Sequence, residues 1–377
     1  MRPRYVVGST LLVVAVLALF IAVTAGNRHG PVEPVARKAS PVVSPEERLA
    51  LLARAQVWHP PAEALGTARL GAAPQHPDLI ECDFHVSELG GTARKFDCQL
   101  DNGEAIRVKY GSTPEVPAEV AAARLIHVLG FGADDVRLVE RLRCRGCPAD
   151  PFLTMKATDV TRTQGWFRRL VDYSRSRDFT WVSVERKHPG RPIRTDEVEG
   201  WAFFELDQVD AAKGGAPRAH LDALRLLAVF LAHWDNKSEN QRLVCVPGET
   251  EADLAGCRRP LAMLQDVGST FGPRKVDLPA WERTPVWADR QGCVIDMATL
   301  PYGGSTFAPL AISEAGRRHL ATLLGELTRD QLIDLFRSAR FDQPVGVLRG
   351  APPTVDDWVR VFRAKVEAIT AGPPCPS

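Results

Sequence analysis

His233-Trp234-Asp235-Asn236-Lys237-Ser238-Glu239-Asn240, with Asp266-Val267-Gly268 downstream of it, is the part of this sequence from which the rest takes its meaning. An Asp, a Lys and an Asn stand close together on one tight polar segment, and a second Asp follows at the distance of a short hairpin. That inventory suits phosphoryl transfer: one Asp to orient a hydroxyl, a Lys near the moving phosphoryl group, an Asn and a second Asp to hold a divalent metal. Clusters of Asp, Asn, Lys and Ser also make ordinary polar turns, so the surroundings have to be read with the segment.

Immediately upstream, His220 to Ala232 reads as a helix that is almost wholly apolar from Leu226 onward. Such a helix is buried on all sides and would deliver the 233–240 segment at its C-terminal end. Downstream, Leu243 to Val246 and Leu261 to Leu264 are two short apolar runs. Paired as a hairpin, they carry Asn240 and Asp266 to the same end. Mg²⁺ takes few carboxylates and completes its shell with phosphate oxygens and water, which matches one Asp and one Asn.

Further from the core of the pattern, Asp101-Asn102-Gly103 is a strong turn signal between two strand-like runs, the second being Ile106 to Tyr110. Before this hairpin lies Leu89-Gly90-Gly91-Thr92, whose glycines allow backbone amides to approach phosphates closely. After it, Pro117 to Gly130 has the proline start, Ala-rich body and terminal glycine of a helix.

The 233–240 segment resembles the catalytic loop of protein kinases, H-R-D-L-K-P-E-N followed by D-F-G, and agrees with it at five of the eight loop positions. Its Asp-x-Lys-x-x-Asn is also similar to the D-x-H-x-x-N of the phosphatidylinositol 3- and 4-kinase group. HipA-type bacterial kinases and the secretory-pathway, four-jointed-type kinases belong to the same atypical neighbourhood. The resemblance runs from about Gly90 to Phe271. It implies that Asp235 orients the acceptor hydroxyl, that Lys237 stabilises the transferring group, and that Asn240 and Asp266 hold Mg²⁺ or Mn²⁺. It further implies that Lys109 contacts the phosphates of ATP or another nucleoside triphosphate beside Gly90 and Gly91, with Glu119 of the helix orienting it and Glu115 behind. The run Glu199 to Leu206 is expected to be a buried strand leading to an interlobe hinge near Glu205 to Asp207. The implied fold is α+β and two-lobed: a small antiparallel β lobe with one helix, and a larger, mainly helical lobe.

Composition frames this. At 377 residues, 45% hydrophobic and 25% charged, the chain can bury a full core. A formal net charge of +1 offers no basic field for nucleic acid. Arg2 and Arg4 precede an apolar run from about Tyr5 to Val23, long enough to cross a bilayer and also compatible with a cleaved signal peptide. The expected order is a transmembrane anchor or signal segment over 1–26, a proline-punctuated linker over 27–44, an N-terminal extension and small nucleotide lobe over 45–206, and a large helical lobe over 207–377. Eight cysteines behind an export-like segment argue for disulfides, with Cys144–Cys147 and Cys245–Cys257 as the expected pairs. A zinc site at Cys144-Arg145-Gly146-Cys147 is the rival reading of that motif. The catalytic part is therefore expected outside the cytoplasm, in the periplasm or secretory pathway. Two other classes fit the same residues: a catalytically inactive kinase-like binding module, and an unrelated exported metal-dependent hydrolase.

Overall fold

A computed structural model describes residues 42–71, 79–87, 89–160, 171–248, 254, 256–301, 305–343 and 352–376. The apolar run from Tyr5 to Val23 lies outside them. Among the described residues no helix is long and apolar enough to cross a membrane. The chain is mixed α+β, and it divides into two compact units, one drawn from 79–107 and 141–180 and the other from the remaining described residues.

The first unit carries β1 (Leu79–His85), β2 (Lys95–Gln99), the start of β3 (Ala105–Lys109), the end of β4 (Asp135–Arg145), α3 (Pro151–Val160) and the start of β5 (Arg177–Arg186). Alternating burial along β1 is the signature of a strand with one covered face. β1 pairs antiparallel with β2, through Asp83 opposite Gln99, and parallel with β4, through Cys82 opposite Cys144. The five strands run in the order β1-β2-β3-β5-β4 and close into a barrel. The small sheet is therefore mixed, where an antiparallel one was expected: β4 returns beside β1 after the long excursion through a helix, and only a crossover of that length permits parallel pairing. Disulfides Cys82–Cys98 and Cys144–Cys147 staple this unit, so the CxxC is a disulfide and not a zinc half-site.

The second unit opens with α1 (Pro45–Ala53), capped by Ser44, whose hydroxyl accepts from Glu47 N while Glu47 reaches back to Ser44 N. α2 (Glu115–Val128) follows β3, and the short β6 (Arg191–Pro192) follows β5. The expected strand at Glu199 to Leu206 is a correction: Phe203–Gln208 forms a 3₁₀ helix. Trp201, Phe203 and Leu206 are buried while Phe204 is 60% exposed, which is a period near three and not the alternation of a strand. Glu205 then accepts from Ala202 N and takes both guanidinium arms of Arg48, so this stretch is a docking site for α1.

α4 (Arg218–Leu231) is buried along its whole length from Leu221, as the apolar run requires. It ends at Ala232 in the left-handed region, φ 54°, which turns the chain sharply into the polar segment. β7 (Gln241–Cys245) and β8 (Pro260–Leu264) pair antiparallel with Gln241 opposite Leu264, close to the expected hairpin, and β6 adds to the β7 edge. Cys245–Cys257 closes the excursion between them. α5 (Leu278–Arg283), β9 (Val294–Ile295), β10 (Leu310–Ala311), α6 (Glu314–Gly325), α7 (Arg329–Ser338) and α8 (Val355–Thr370) complete the unit, and Cys293–Cys375 ties its end back. Trp281 is fully buried. It meets Phe271 edge-on at 5.2 Å and sits 5.8 Å from Trp358.

Candidate functional site

The site is built on the second unit from four pieces: the end of β3, the first turns of α2, the segment after α4, and the turn after β8. The last two are locked together at the open end of the β7–β8 hairpin, where Gln265 N donates to Asn240 O at 2.9–3.0 Å spacing typical of a ladder bond, 3.0 Å here. Register alone thus puts Asn240 within one residue of Asp266. Trp234 N donates to Ser269 O and Phe271 N to Leu231 O, so the segment after α4 is pinned on its other side as well.

Asn236 does the anchoring inside the 233–240 segment. Its side-chain oxygen accepts from Ser305 Oγ and Thr306 N, both at 2.9 Å, and its Nδ2 donates to His233 O at 3.0 Å. It is fully buried, and its role is to hold the loop. His233 is also fully buried, with Nε2 3.3 Å from Gln241 Nε2. Burial pushes its imidazole down to about 4, against the opposing field of Asp266.

Lys109 is the centre of the charge arrangement. Its ammonium, 2% exposed by residue, lies 2.7 Å from Glu119 Oε1, 2.6 Å from Asp266 Oδ1 and 3.3 Å from Glu115 Oε1. Burial opposes its charge, yet the fields of Glu119, Asp266, Glu115 and Glu185 outweigh that and hold its pKa well above the usual lysine value. Lysine therefore keeps its proton. The excess of carboxylates then falls on Glu119, which burial first, and Glu185 and Asp266 next, push up to about 7 despite Lys109. Glu115 stays ionised: burial works against it, but Lys109 and Lys275 hold its pKa low. The other oxygen of Glu119 accepts from Ser183 Oγ at 3.4 Å on β5. Lys109 is thus not a solvated lysine on an exposed strand face.

Asp235 is half-buried, and burial raises its pKa, with Lys237 opposing and Asp266 assisting. Its backbone oxygen accepts from Asn240 Nδ2 at 2.7 Å, while its Oδ1 is buried with no hydrogen-bond partner among the described residues. Gln265 Oε1 is in the same position. Asn240 is buried, and Lys237 is half-buried beside Asp235. Asp266 is a third exposed by side chain and takes φ 50°, a left-handed turn that Asp tolerates better than most residues.

Seven of the nine residues singled out by sequence, Asp235, Lys237, Asn240, Asp266, Lys109, Glu119 and Glu115, belong to one unit; contacts join Lys109 to Glu119, Glu115 and Asp266 and Asn240 to Asp235, while Lys237 reaches Asp235 through its field. Gly90 and Gly91 belong to the first unit, are exposed, and Gly91 has φ 69°, which glycine alone accepts without cost. Glu115, which the resemblance placed behind Glu119, shares Lys109 as well. One participant carried no sequence signal: Lys275 donates to the other oxygen of Glu115 and stands 5.9 Å over the Trp234 ring. Nothing in the spacing of Lys275 marks it, because a loop places it.

Among the described residues no three His, Cys, Asp or Glu side chains gather as a metal site. The oxygen set that is present, Asp235 with its unpaired Oδ1, Asp266, and the amide oxygen of Asn240, is hard and sparse. That suits Mg²⁺ or Mn²⁺ sharing its shell with phosphate and water, and does not suit a self-sufficient protein cage.

No family model matches the chain, and no curated protein matches it. Among solved structures, the proinflammatory kinase CtkA of Helicobacter pylori is similar with a TM-score of 0.40 and 10% identity, over 78% of this chain and 94% of that one.

Proposed function

We propose that this chain is an atypical kinase that transfers a phosphoryl group from ATP or another nucleoside triphosphate to a hydroxyl on a protein, glycan or lipid. The observation that carries the reading is the single buried ammonium of Lys109, held at once by Glu119 of α2 and by Asp266 of the turn that ladder pairing joins to Asn240. A positive centre fixed from two elements beside a sparse carboxylate set is what positioning and charge stabilisation of a phosphoryl group require.

In this reading Lys109 holds nucleotide phosphates and Glu119 orients it. Asp235 accepts the proton of the acceptor hydroxyl, and its raised pKa makes it a better base than an ordinary aspartate. Lys237 stabilises charge on the transferring group. Asn240 and Asp266 would hold Mg²⁺ or Mn²⁺, which when bound neutralises charge on the terminal phosphates. The two-lobed division, with 45–206 as the nucleotide lobe and 207–377 as the catalytic lobe, belongs to the same proposal. So does anchoring through the apolar segment over 1–26. Four disulfides are consistent with an oxidising, extracytoplasmic setting.

The test is thermal unfolding of the full chain, disulfides intact, with ATP or GTP and Mg²⁺ or Mn²⁺. A ligand at 100 times its Kd stabilises by about 2.7 kcal/mol, a readable shift. Wild type is expected to shift and Asp266→Ala to lose the shift. Asp235→Asn should keep it while phosphoryl transfer falls by about 10²–10⁴-fold. A folded wild type that no nucleotide shifts would remove the transferase assignment.

A further inference from the structure

Glu115 occupies an unusual position. One of its oxygens is 3.3 Å from Lys109 Nζ, and the other accepts from Lys275 Nζ, so a single carboxylate bridges two ammonium groups that come from distant parts of the chain. The carboxylate is backed by tight packing: a methyl group at Gly268 would come within 2.5 Å of Glu115 Cγ, so only glycine fits the third position of the Asp-Val-Gly turn. Lys275 is presented by a segment with Phe271, Lys275 and Val276 all at positive φ, a conformation that for Val276, with its branched β-carbon, is a true outlier. The segment is held in it by Val276 N to Thr270 O, Asp277 N to Phe271 O, and the burial of the Phe271 ring against Trp281 and Phe341. Strained backbone that neighbouring contacts enforce this firmly places the Lys275 side chain at one spot. There the ammonium stands over Trp234, is 22% exposed, and its field reaches Asp235.

We propose that Lys275 is a second phosphate-binding lysine of the site and that the Glu115 carboxylate is its resident anion in the ligand-free molecule. The proposal rests on the transferase reading. Two ammonium groups spaced to share one carboxylate can equally share one phosphate, whose oxygens present the same charge and hydrogen-bond acceptors. Lys275 stands over the ring of Trp234, the residue next to Asp235, the group assigned to the acceptor hydroxyl, so its ligand is assigned as the terminal phosphate of the donor rather than the inner ones. Arrival of that phosphate transfers Lys275 from Glu115 to the ligand, and no bond other than hydrogen bonds is made or broken.

The experiment is calorimetric titration of the full chain with MgATP and with MgADP, in wild type, Lys275→Met, Lys275→Arg and Glu115→Gln. Loss of a hydrogen bond between charged groups should weaken ATP binding of Lys275→Met by about tenfold or more. ADP, which lacks the terminal phosphate, should bind as in wild type. Lys275→Arg should restore ATP, and Glu115→Gln, which frees the lysine, should tighten it. A lysine serving only as a latch to α2 predicts another pattern: Lys275→Met and Glu115→Gln would weaken ATP and ADP alike. That pattern, or unchanged ATP affinity in Lys275→Met, overturns the proposal while leaving the transferase reading intact. A wild type that binds neither nucleotide removes both.

Discussion

Two cations in this molecule each face three carboxylates, and they illustrate opposite physics. Arg145 in the first unit pairs with Asp83 through Nε at 2.7 Å and also meets Glu81 and Asp101, with side chains from 34% to 78% exposed. Lys109 in the second unit pairs with Glu119, Asp266 and Glu115, and its own side chain is 3% exposed. Water screens the first set, so its pairs are replaceable surface contacts. In the second set Lys109 and Glu119 are shut off from water, and their charges depend on their partners, while Asp266 at the edge is a third exposed. A fold that only needed stability would fill the second location with apolar side chains. Retaining a lysine and several acids there is what the proposed phosphate site requires.

The comparison can be broken at several points. The largest effect is expected at Lys109→Ala, which strands Glu119 and Asp266, leaves Glu115 with Lys275 alone, and should cost about 3–5 kcal/mol of stability by chemical denaturation. A loss below about 1 kcal/mol would mean that water reaches the cluster. Next comes pH. The folded pKa of Glu119, about 7, lies above its ordinary 4.5, so its share of stability is complete below about 4.5 and is lost as pH rises through about 7. His233 works in the other direction. Its folded value of about 4 lies below 6.5, so its share is present above about 6.5 and is lost as pH falls through about 4. Thermal midpoints recorded from pH 3.5 to pH 8 should therefore fall toward both ends. Glu119→Gln should flatten the upper limb and His233→Gln the lower. An unchanged slope in either variant would withdraw that assignment. The smallest effect belongs to Arg145→Ala, expected within about 1 kcal/mol and shrinking further in high salt. A loss as large as that at Lys109 would show that exposure does not separate the two clusters.

How far the sequence disclosed this arrangement differs from piece to piece. The burial of α4 was legible because eleven of its residues, starting at Leu221, leave no polar face apart from Asp222 and Arg225. The β7–β8 hairpin was legible from two short apolar runs, and the approach of Asn240 to Asp266 followed from it. Cys144–Cys147 and Cys245–Cys257 were legible because their partners are 3 and 12 residues apart. Cys82–Cys98 and Cys293–Cys375, separated by 16 and 82 residues, were not, since pairing at a distance depends on where strands and termini come to lie. The stretch from Glu199 to Leu206 misled because a short apolar run has no period of its own, and only the exposure of Phe204 reveals the 3₁₀ turn.

The sequence by itself determined which residue types were available for chemistry and, through local periodicity, which elements would carry them. Spacing of ten residues or fewer is enough for that, because turns, helices and hairpins are set by near neighbours. The tertiary structure alone decided that Lys109 is buried, that Asp266 shares it with the expected Glu119, and that Lys275 joins the group through Glu115. Lys109 and Asp266 are 157 residues apart, and Lys275 and Glu115 are 160. Contacts across such distances are chosen by the packing of the whole unit, and the pKa values that give the site its character follow from the burial that packing creates.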